Sequence, residues 1–328
     1  MKEKELEILQ QYDIDVKSTR KIRGAILCDT NQGLFLLKEI QCSEKRIPVL
    51  YELQNHLIQE GYKNIDLLIK NKEDSLVSVS EEEQKFILKR WFHGKECDNK
   101  REIEIMEGVR NLALLHRILK KQFDTKLSPK EDMEAEFLRH NREMKKVRSF
   151  IRNKVGKGEF ELLYLKYFER IYEWAVCACE KMKSTGYQKL LQQSGEESAL
   201  VHGDYNYHNI LMTQNGIATT NFDHFYAGIQ VTDFYYFLRK SLEKNHWDVG
   251  LGNRMIENYN RIHPLSEEEL EYIAVCIAYP EKFWKAANSY YRSSKAWIPA
   301  KSLEKLELAV KQNEQKKIFL ENVFSFHL

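Results

Sequence analysis

The chain has 328 residues, 43% of them apolar, and its 51 Lys and Arg nearly balance its 49 Asp and Glu, leaving a net charge of +2 at pH 7. This length suits a globular protein with two lobes, and basic residues scattered among acidic ones argue against a nucleic-acid-binding protein. The first residues are too charged for a signal peptide, and no segment approaches the roughly 18 apolar residues of a membrane span. We therefore expect cytoplasmic synthesis and no membrane span.

The first 91 residues predict a small antiparallel sheet with one packed helix. A short amphipathic helix at residues 1–13 precedes apolar segments that are typical of strands. Residues 43–61 carry an apolar stripe at helical spacing, with Pro48 in the first turn and Gly61 as a C-terminal cap. The predicted strands are residues 15–20, 24–29, 33–40, 65–70, 76–80 and 85–91. We interpret residues 1–91 as an N-terminal lobe.

Lys38 stands at the end of an apolar strand, directly after Leu34-Phe35-Leu36-Leu37. It is either a strand-end lysine whose ammonium reaches water along its aliphatic stem, or a buried ammonium that holds an anionic ligand. Glu52 adjoins the apolar stripe of the following helix. It is either a solvated glutamate or the ion-pair partner of Lys38.

Residues 92–328 change to helical periodicity and are interpreted as a helical C-terminal lobe. The predicted helices are residues 101–120, 130–155, 160–184, 231–243, 252–259, 266–278, 281–293 and 302–322. Residues 130–155 carry interleaved charges of both signs, which indicates a solvated helix face. Ser266 followed by Glu269 fits a capping box.

Residues 200–223 break the helical pattern with a short apolar run, His202-Gly203-Asp204, and then Asn209. Two short strands flank Asn215-Gly216, a strong hairpin signal. With Asn215 and Gly216 as the central pair, Met212 faces Thr219 and Ile210 faces Asn221. This register brings Asn209 beside Asn221 and Asp223. Oxygen ligands gathered around one point suit Mg²⁺, which typically also binds nucleotide phosphates.

These parts together resemble the protein-kinase-like fold, in its aminoglycoside phosphotransferase and choline kinase branch, whose catalytic loop reads His-Gly-Asp-x-x-x-x-Asn. The resemblance implies a bilobal α+β protein with a β-rich N-lobe and a helical C-lobe. It implies Asp204 as the catalytic base and Asn209 as a metal ligand. It also implies Lys38 as the phosphate-binding lysine with Glu52 as its partner, and Trp91 at the hinge between lobes. The implied cofactors are Mg²⁺ and ATP.

Two positions depart from that branch. Its metal motif is Ile-Asp-Phe-Asp, whereas this chain has Asn221, whose neutral oxygen binds Mg²⁺ more weakly than a carboxylate. Asp223 lies two residues further on and could replace it as a metal ligand. The segment 18–24 has one glycine, so backbone amides would not cradle phosphates closely, and Arg20 with its basic neighbours would supply positive charge instead.

The C-terminal segment Tyr279-Pro-Glu-Lys-Phe-Trp-Lys285, followed by Lys295-Ala-Trp-Ile-Pro299, is similar to the tail of the CotS family of spore coat proteins. This resemblance covers residues 15–325 and implies a location in the spore coat, with other coat proteins as partners. It implies a small-molecule or polysaccharide acceptor if the protein is active. The aromatic residues of the tail either pack the last helices or line a groove for an acceptor or coat partner.

Two functions therefore remain open. The first is Mg²⁺- and ATP-dependent phosphate transfer to a hydroxyl group, which the resemblance of Asp204 and Asn209 to catalytic residues favours. The second is a catalytically inactive pseudokinase that acts as a structural component of the coat, which Asn221 and the glycine-poor segment favour.

Overall fold

The structure, a computed structural model, describes residues 3–40, 43–123, 133–292 and 300–327. The chain forms two compact units. The first comprises Met1–Ser128 and Ser198–Tyr226, and the second comprises Pro129–Glu197 and Ala227–Leu328. The lobe boundary predicted at residue 91 falls inside the first unit, as does the predicted hairpin.

The first unit contains the predicted antiparallel sheet, and the predicted class of a small sheet with a larger helical region is confirmed. Its strands are β1 (Val16–Ile22), β2 (Ala25–Thr30), β3 (Gly33–Glu39), β4 (Leu68–Ile69), β5 (Ser78–Val79) and β6 (Lys85–Arg90). The order across the sheet is β1-β2-β3-β6-β4, with β5 paired to β6 beside that path. All six predicted strands exist, although β4 and β5 are only two residues long.

One face of the sheet is covered by the N-terminal helix α1 (Glu3–Gln10). Alternate residues of a strand point to opposite faces, and Ile26 and Cys28 of β2 lie in a buried cluster with Ile8 and Leu9 of α1. Burial of these apolar side chains is what holds the short helix against the sheet.

The opposite face of the sheet carries both apolar and charged side chains. Ala25 and Leu27 of β2 pack there with Leu36 of β3. The register places Lys38 directly across from Ala25, and Lys89 directly across from Leu36. Both lysines therefore belong to the face that carries this apolar cluster.

Helix α2 (Arg46–Gln59) follows the sheet's first three strands and confirms the predicted helix. Its apolar stripe is buried, and Gly61 after it has the left-handed φ of 90° expected of a C-terminal cap. The buried side chain of Gln54 donates to the carbonyl of Asp66 and accepts from the amide of Leu68. These two hydrogen bonds fix the segment that carries Asp66.

The remaining elements of the first unit are the strands β7 (Gly94–Glu96), β8 (Leu200–Val201), β9 (Ile210–Thr213) and β10 (Gly216–Thr219), helix α3 (Glu102–Ile118) and a 3-10 turn at Phe222–His224. Strand β11 (Tyr226–Ala227) stands where the first unit ends and the second resumes. β7, which the sequence did not predict, pairs with β9 and widens the hairpin to a three-stranded sheet.

The hairpin has a different register from the prediction. Met212 faces Ile217, and Ile210 faces Thr219. The predicted partners were Thr219 for Met212 and Asn221 for Ile210. The shift is two residues, so each side chain keeps its expected face of the strand.

A hydroxyl explains this register. Thr213 Oγ1 donates to the carbonyl of Gly216 at 2.6 Å and accepts from the amide of Asn215 at 3.1 Å. These bonds close the loop around Gln214 and Asn215 rather than around Asn215 and Gly216.

The second unit is helical. Its helices are α4 (Met133–Asn153), α5 (Glu159–Ser184), α6 (Tyr187–Glu196), α7 (Val231–Lys244), α8 (Val249–Asn260), α9 (Glu267–Ala278), α10 (Glu281–Tyr291) and α11 (Ala300–Phe324). The sequence predicts all of them except α6, which is mostly polar. The capping box before α9 is confirmed by reciprocal hydrogen bonds between Ser266 and Glu269.

The charged helix α4 has the solvated face that its charge pattern predicts, but it is not solvated on all sides. One stripe of α4 is buried, and it consists of Phe137, His140, Asn141, Met144, Val147 and Ile151. Only the remaining faces of the helix carry the interleaved charges, because apolar residues at helical spacing still define a core-facing stripe.

The aromatic residues after α9 pack helices together. Phe283 stacks on Tyr164 with ring centroids 4.9 Å apart, and Tyr290 stacks on Phe160 at 4.6 Å. The packing interpretation is therefore correct for these side chains. Lys295–Pro299, with Trp297, lies outside the described residues. Among the helices that the structure describes, none is long and apolar enough to cross a membrane.

Candidate functional site

The first unit contains a cavity of about 560 Å³ against the mixed face of its sheet. The apolar cluster of Ala25, Leu27 and Leu36 forms one wall, and Leu211 of β9 also lines the cavity. Trp91, predicted at the hinge, lies at the end of β6, packs against this cluster and lines the same cavity. An apolar slot of this kind accepts a flat ring system.

Polar side chains line the same cavity. Lys38, Asn209 and Asn221 are among its lining residues, together with Arg20 and Arg23 from the β1–β2 hairpin. Four of the predicted site residues, Arg20, Lys38, Asn209 and Asn221, are therefore brought together with Trp91 around one cavity. Its basic side chains favour an anionic ligand.

The β1–β2 connection is a tight turn rather than a phosphate-binding loop. Arg23 and Gly24 both have positive φ, 42° and 79°, as a two-residue hairpin turn requires. Arg23 forms an ion pair with Glu96 at 2.7 Å. The exposed Arg20 on β1 could contact phosphate by its side chain, whereas so short a turn offers few backbone amides.

Two lysines hold Asp223. Lys38 Nζ lies 2.8 Å from Asp223 Oδ2, and Lys89 Nζ lies 2.5 Å from Oδ1. Burial alone would raise the pKa of Asp223, but the two ammonium groups hold this pKa well below its usual range. Asp223 is therefore an anion whose two oxygens are both engaged.

Lys89 also forms a buried ion pair with Asp66, Nζ to Oδ2 at 3.0 Å, and neither side chain is exposed. Burial opposes the charge on Lys89, yet Asp66 and Asp223 keep its pKa above the usual value. Burial raises the pKa of Asp66 despite the pull of Lys89. Asp66 Oδ2 also accepts the backbone amide of Asn221 at 2.9 Å.

Asn221 adopts the left-handed conformation, with φ 63° and ψ 51°. Asparagine is among the few non-glycine residues that visit this region readily. Its Nδ2 donates to Asn209 Oδ1 at 2.7 Å. Asn209 Nδ2 in turn donates to Asp204 Oδ2 at 2.8 Å. A chain of amides therefore links Asn221 to the predicted catalytic base.

Asp204 sits in a loop that orients its carboxylate. Its Oδ1 accepts from Asn206 Nδ2 at 2.7 Å, and its backbone amide donates to His202 Nδ1 at 3.2 Å. Because Nδ1 accepts, His202 Nε2 is the donor to the carbonyl of Thr220 at 3.0 Å. Gly203 has φ 84°, and a Cβ there would lie 2.2 Å from the carbonyl oxygen of His224, so only glycine fits.

Glu52 does not pair with Lys38. Its carboxylate forms an ion pair with Lys121 at 3.0 Å and is about half exposed, while the ammonium of Lys38 is engaged by Asp223. A carboxylate in a buried position competes better for an ammonium than a solvated one. The partner implied for Lys38 is thus replaced by Asp223.

The predicted metal ligands do not fit a divalent cation in this arrangement. Mg²⁺ takes one or two carboxylates in near-octahedral geometry, but the only carboxylate among the predicted ligands, Asp223, is already paired with two ammonium groups. Asn209 and Asn221 bond to each other through their amides. No group of three His, Cys, Asp or Glu side chains that could hold a metal occurs in the described ranges.

Sequence reasoning missed Asp66 and Lys89. Lys89 repeats the pattern of Lys38, since it follows Phe86-Ile-Leu88 near the end of an apolar strand. That repetition was a readable signal. No sequence signal marked Asp66. Its position depends on the hydrogen bonds of Gln54 to the Asp66 segment, and its partners Lys89 and Asn221 are far from Gln54 in the sequence.

The fold is similar to that of known phosphotransferases. An aminoglycoside phosphotransferase from Alicyclobacillus acidocaldarius subsp. acidocaldarius matches with a TM-score of 0.87 at 15% identity, over 98% of this chain and 95% of that one. A spectinomycin phosphotransferase solved with ADP and spectinomycin matches with a TM-score of 0.68 at 13% identity, over 95% and 97%. An amicoumacin kinase solved with AMP-PNP and Ca²⁺ matches at 0.61 and 11%, over 96% and 93%.

The sequence comparisons give the family. No curated protein matches significantly. A family model described as "Spore coat putative kinase YutH" matches residues 5–323, nearly the whole chain. The resemblance to CotS-type spore coat proteins and the kinase-like fold are both confirmed. The chain therefore belongs to the YutH family of kinase-like spore coat proteins.

Proposed function

We propose that this protein is a nucleotide-binding, kinase-like component of the spore coat that binds ATP without depending on a divalent cation. Its family supports the location, and its coat partners would be other coat proteins. Fold neighbours that were solved with ADP or AMP-PNP support the ligand class. The proposal of a pseudokinase rests on the donor set, in which Asn221 offers Mg²⁺ a neutral amide oxygen and Asp223 is paired with two ammonium groups.

The observation that carries the proposal is Lys38 in an apolar cavity that Arg20 also lines. The base would occupy the slot formed by Ala25, Leu27 and Leu36. The phosphates would take over the ammonium of Lys38 from Asp223. Lys89 would then retain Asp223, so that the carboxylate is never left without a cation.

The test is equilibrium binding of ATP and AMP-PNP to the whole chain by calorimetry, with Mg²⁺ and with EDTA. We expect dissociation constants within about threefold of each other, because the predicted ligands offer Mg²⁺ two neutral amides, Asn209 and Asn221, and one carboxylate, Asp223, that Lys89 still holds. Lys38→Ala should weaken binding at least tenfold, while the exposed Lys17→Ala on β1 serves as the control. Binding that requires Mg²⁺, or that survives Lys38→Ala, contradicts the proposal.

A second function, phosphate transfer to a hydroxyl, is favoured by one observation. Asp204 keeps an oriented and partly exposed carboxylate, held by the amides of Asn206 and Asn209. In that reaction Asp204 would accept the proton of the acceptor hydroxyl as its oxygen bonds to the γ-phosphorus and ADP leaves. The acceptor would be a small molecule or a coat polysaccharide.

This second function is tested with ATP labelled in the γ-phosphate, coat extract as acceptor, and Asp204→Asn. Transfer that the substitution abolishes would establish catalysis and reject the pseudokinase. ATP binding without any Asp204-dependent transfer would reject the enzyme and leave the nucleotide-binding proposal intact.

A further inference from the structure

The second unit contains a small cavity beside helix α11. Its volume is about 20 Å³, enough for one sphere of the size of water or a halide. Residues of α7, α10 and α11 line it, together with Trp247 in the connection from α7 to α8.

Three residues that line this cavity each carry an N–H donor that has no hydrogen-bond partner among the described residues. The donors are Arg239 Nε, Trp247 Nε1 and Asn313 Nδ2, and their side chains belong to residues that are 5%, 4% and 5% exposed. Buried polar atoms almost always have a partner. Three orphaned donors on a single cavity therefore point to a ligand that accepts hydrogen bonds.

The nearby acceptors are already engaged. Arg239 gives Nη1 to Glu243 and Nη2 to Glu281, each at 3.0 Å, which leaves only Nε without a partner. The other oxygen of Glu243 lies 3.1 Å from Lys282 Nζ. Neither carboxylate is free to turn toward the orphaned donors without losing an ion pair.

The charge around the cavity is balanced when Lys316 is neutral and positive when Lys316 is protonated. The lining contains three basic residues, Arg239, Lys282 and Lys316, against two acidic residues, Glu243 and Glu281. Lys316 Nζ is itself anchored, since it donates to the carbonyls of Ala278 and Tyr279, each at 3.1 Å. An anion would balance the charge of the protonated Lys316.

The backbone that carries the indole of Trp247 adopts a strained conformation. His246 and Trp247 both have left-handed φ, 52° and 58°. Two consecutive bulky residues in this region are strained and persist only when the surroundings hold them. In this conformation the indole of Trp247 is buried, and its ring lies 5.8 Å from that of Phe319.

We propose that this cavity is a binding site for a monovalent halide such as chloride, held by Arg239 Nε, Trp247 Nε1 and Asn313 Nδ2. A water molecule accepts two hydrogen bonds through its two lone pairs and brings no charge. A halide accepts three donors at once and balances the charge of Lys316 when that side chain is protonated. The ion ties α7 and the α7–α8 connection to α11.

The location is tested by growing crystals of the full chain in bromide and measuring anomalous scattering. We expect a bromide peak in contact with Trp247 Nε1, Arg239 Nε and Asn313 Nδ2. A water molecule at that position, or an empty cavity, overturns the proposal.

The energetic test compares thermal unfolding in sodium chloride and sodium gluconate at equal ionic strength. The unfolding midpoint should rise with chloride in the natural chain and in Trp174→Phe, a control that replaces another buried tryptophan of the second unit. The rise should be lost in Trp247→Phe and, should that variant fold poorly, in Asn313→Leu. An equal rise in all variants, or a bromide peak with no chloride-specific rise (an adventitious ion only), overturns the proposal.

Discussion

Lys89 and Asp66 form an ion pair that is completely enclosed in the first unit, with Nζ 3.0 Å from Oδ2. Asp223 completes the arrangement on the other side of the same ammonium. Removing water from charges is costly unless each keeps a partner. This cluster therefore joins two segments that are far apart in sequence. It also pairs Lys38 with Asp223, so an anionic ligand of Lys38 has to compete with that carboxylate.

Lys89→Met should destabilise the protein by about 3–5 kcal/mol, because it leaves buried carboxylates without their shared cation. The matched control is Lys85→Met on the same strand. Lys85 pairs with Glu44 while both side chains are about half exposed, and such a pair contributes about 0–1 kcal/mol. The free energy of unfolding in urea distinguishes the two. Equal losses for both variants would contradict the proposed role of the cluster.

Asn221→Asp should create a requirement for metal. The new carboxylate would face Asn209 Oδ1, which now accepts a hydrogen bond from the Asn221 amide, and it would lie near Asp66. We expect a lower thermal midpoint than in the natural chain, restored by Mg²⁺, and ATP binding at least tenfold tighter with Mg²⁺ than with EDTA. The natural chain is the control, since its midpoint should not respond to Mg²⁺. If the thermal midpoint and the ATP affinity of the variant do not respond to Mg²⁺, the proposed reason for the metal independence of the natural chain is wrong.

Lys316 should make stability depend on pH. Burial lowers the pKa of Lys316 to about 7, and Arg239 adds to this effect against the pull of Glu243 and Glu281. In the unfolded chain its pKa is about 10.4. Between these values the unfolded state holds one more proton, so stability should rise with pH by up to about 1.4 kcal/mol per unit.

Lys316→Met should remove this rise between pH 7.5 and 9.5, measured as the free energy of unfolding at each pH. The control is Lys317→Met, since Lys317 is 40% exposed in a loose pair with Glu321. A slope that is the same in both variants would show that Lys316 is protonated in the folded chain.

His246→Gly should stabilise the protein. His246 is exposed and has φ 52°, a conformation that costs a non-glycine residue about 1–2 kcal/mol. Glycine avoids this cost but loses more backbone entropy on folding, so we expect a net gain of about 0.5–1 kcal/mol. Thermal unfolding measures it, with His263→Gly expected to give no gain because His263 has no positive φ. A loss of stability in His246→Gly would indicate that the imidazole makes a contact worth more than the strain.

Local patterns predicted the sheet, the helices other than α6 and the proximity of Asn209 to Asn221, whereas the placement of Lys38 at the same site followed from the resemblance. Alternation along a strand and helical spacing are properties of neighbouring residues, so they can be read directly. The hairpin register was wrong because the Thr213 hydroxyl competes with the Asn-Gly turn preference, and propensity does not measure that bond. Even so, the two-residue shift kept Asn209 next to Asn221.

The pairing of charges could not be predicted in the same way. Glu52 and Asp223 were both available to Lys38, and the choice depends on burial, which is a property of the whole fold. The sequence pattern of Lys89 matches that of Lys38, but it does not identify a partner for the ammonium. Only the structure reveals that its ammonium lies between two carboxylates from residues 66 and 223.

The first unit is discontinuous in sequence, and this has a consequence for its biogenesis. Residues 129–197, which belong to the second unit, are translated before Ser198–Tyr226 can complete the first. At about 5–20 residues per second, Asp223 leaves the ribosome several seconds to about half a minute after Lys89. Until then Lys89 has Asp66 as its only carboxylate partner in the cluster and Lys38 has none. A nascent chain therefore carries surplus positive charge where the proposed nucleotide site will form, and the cluster is complete only once residue 223 of the 328 has been added.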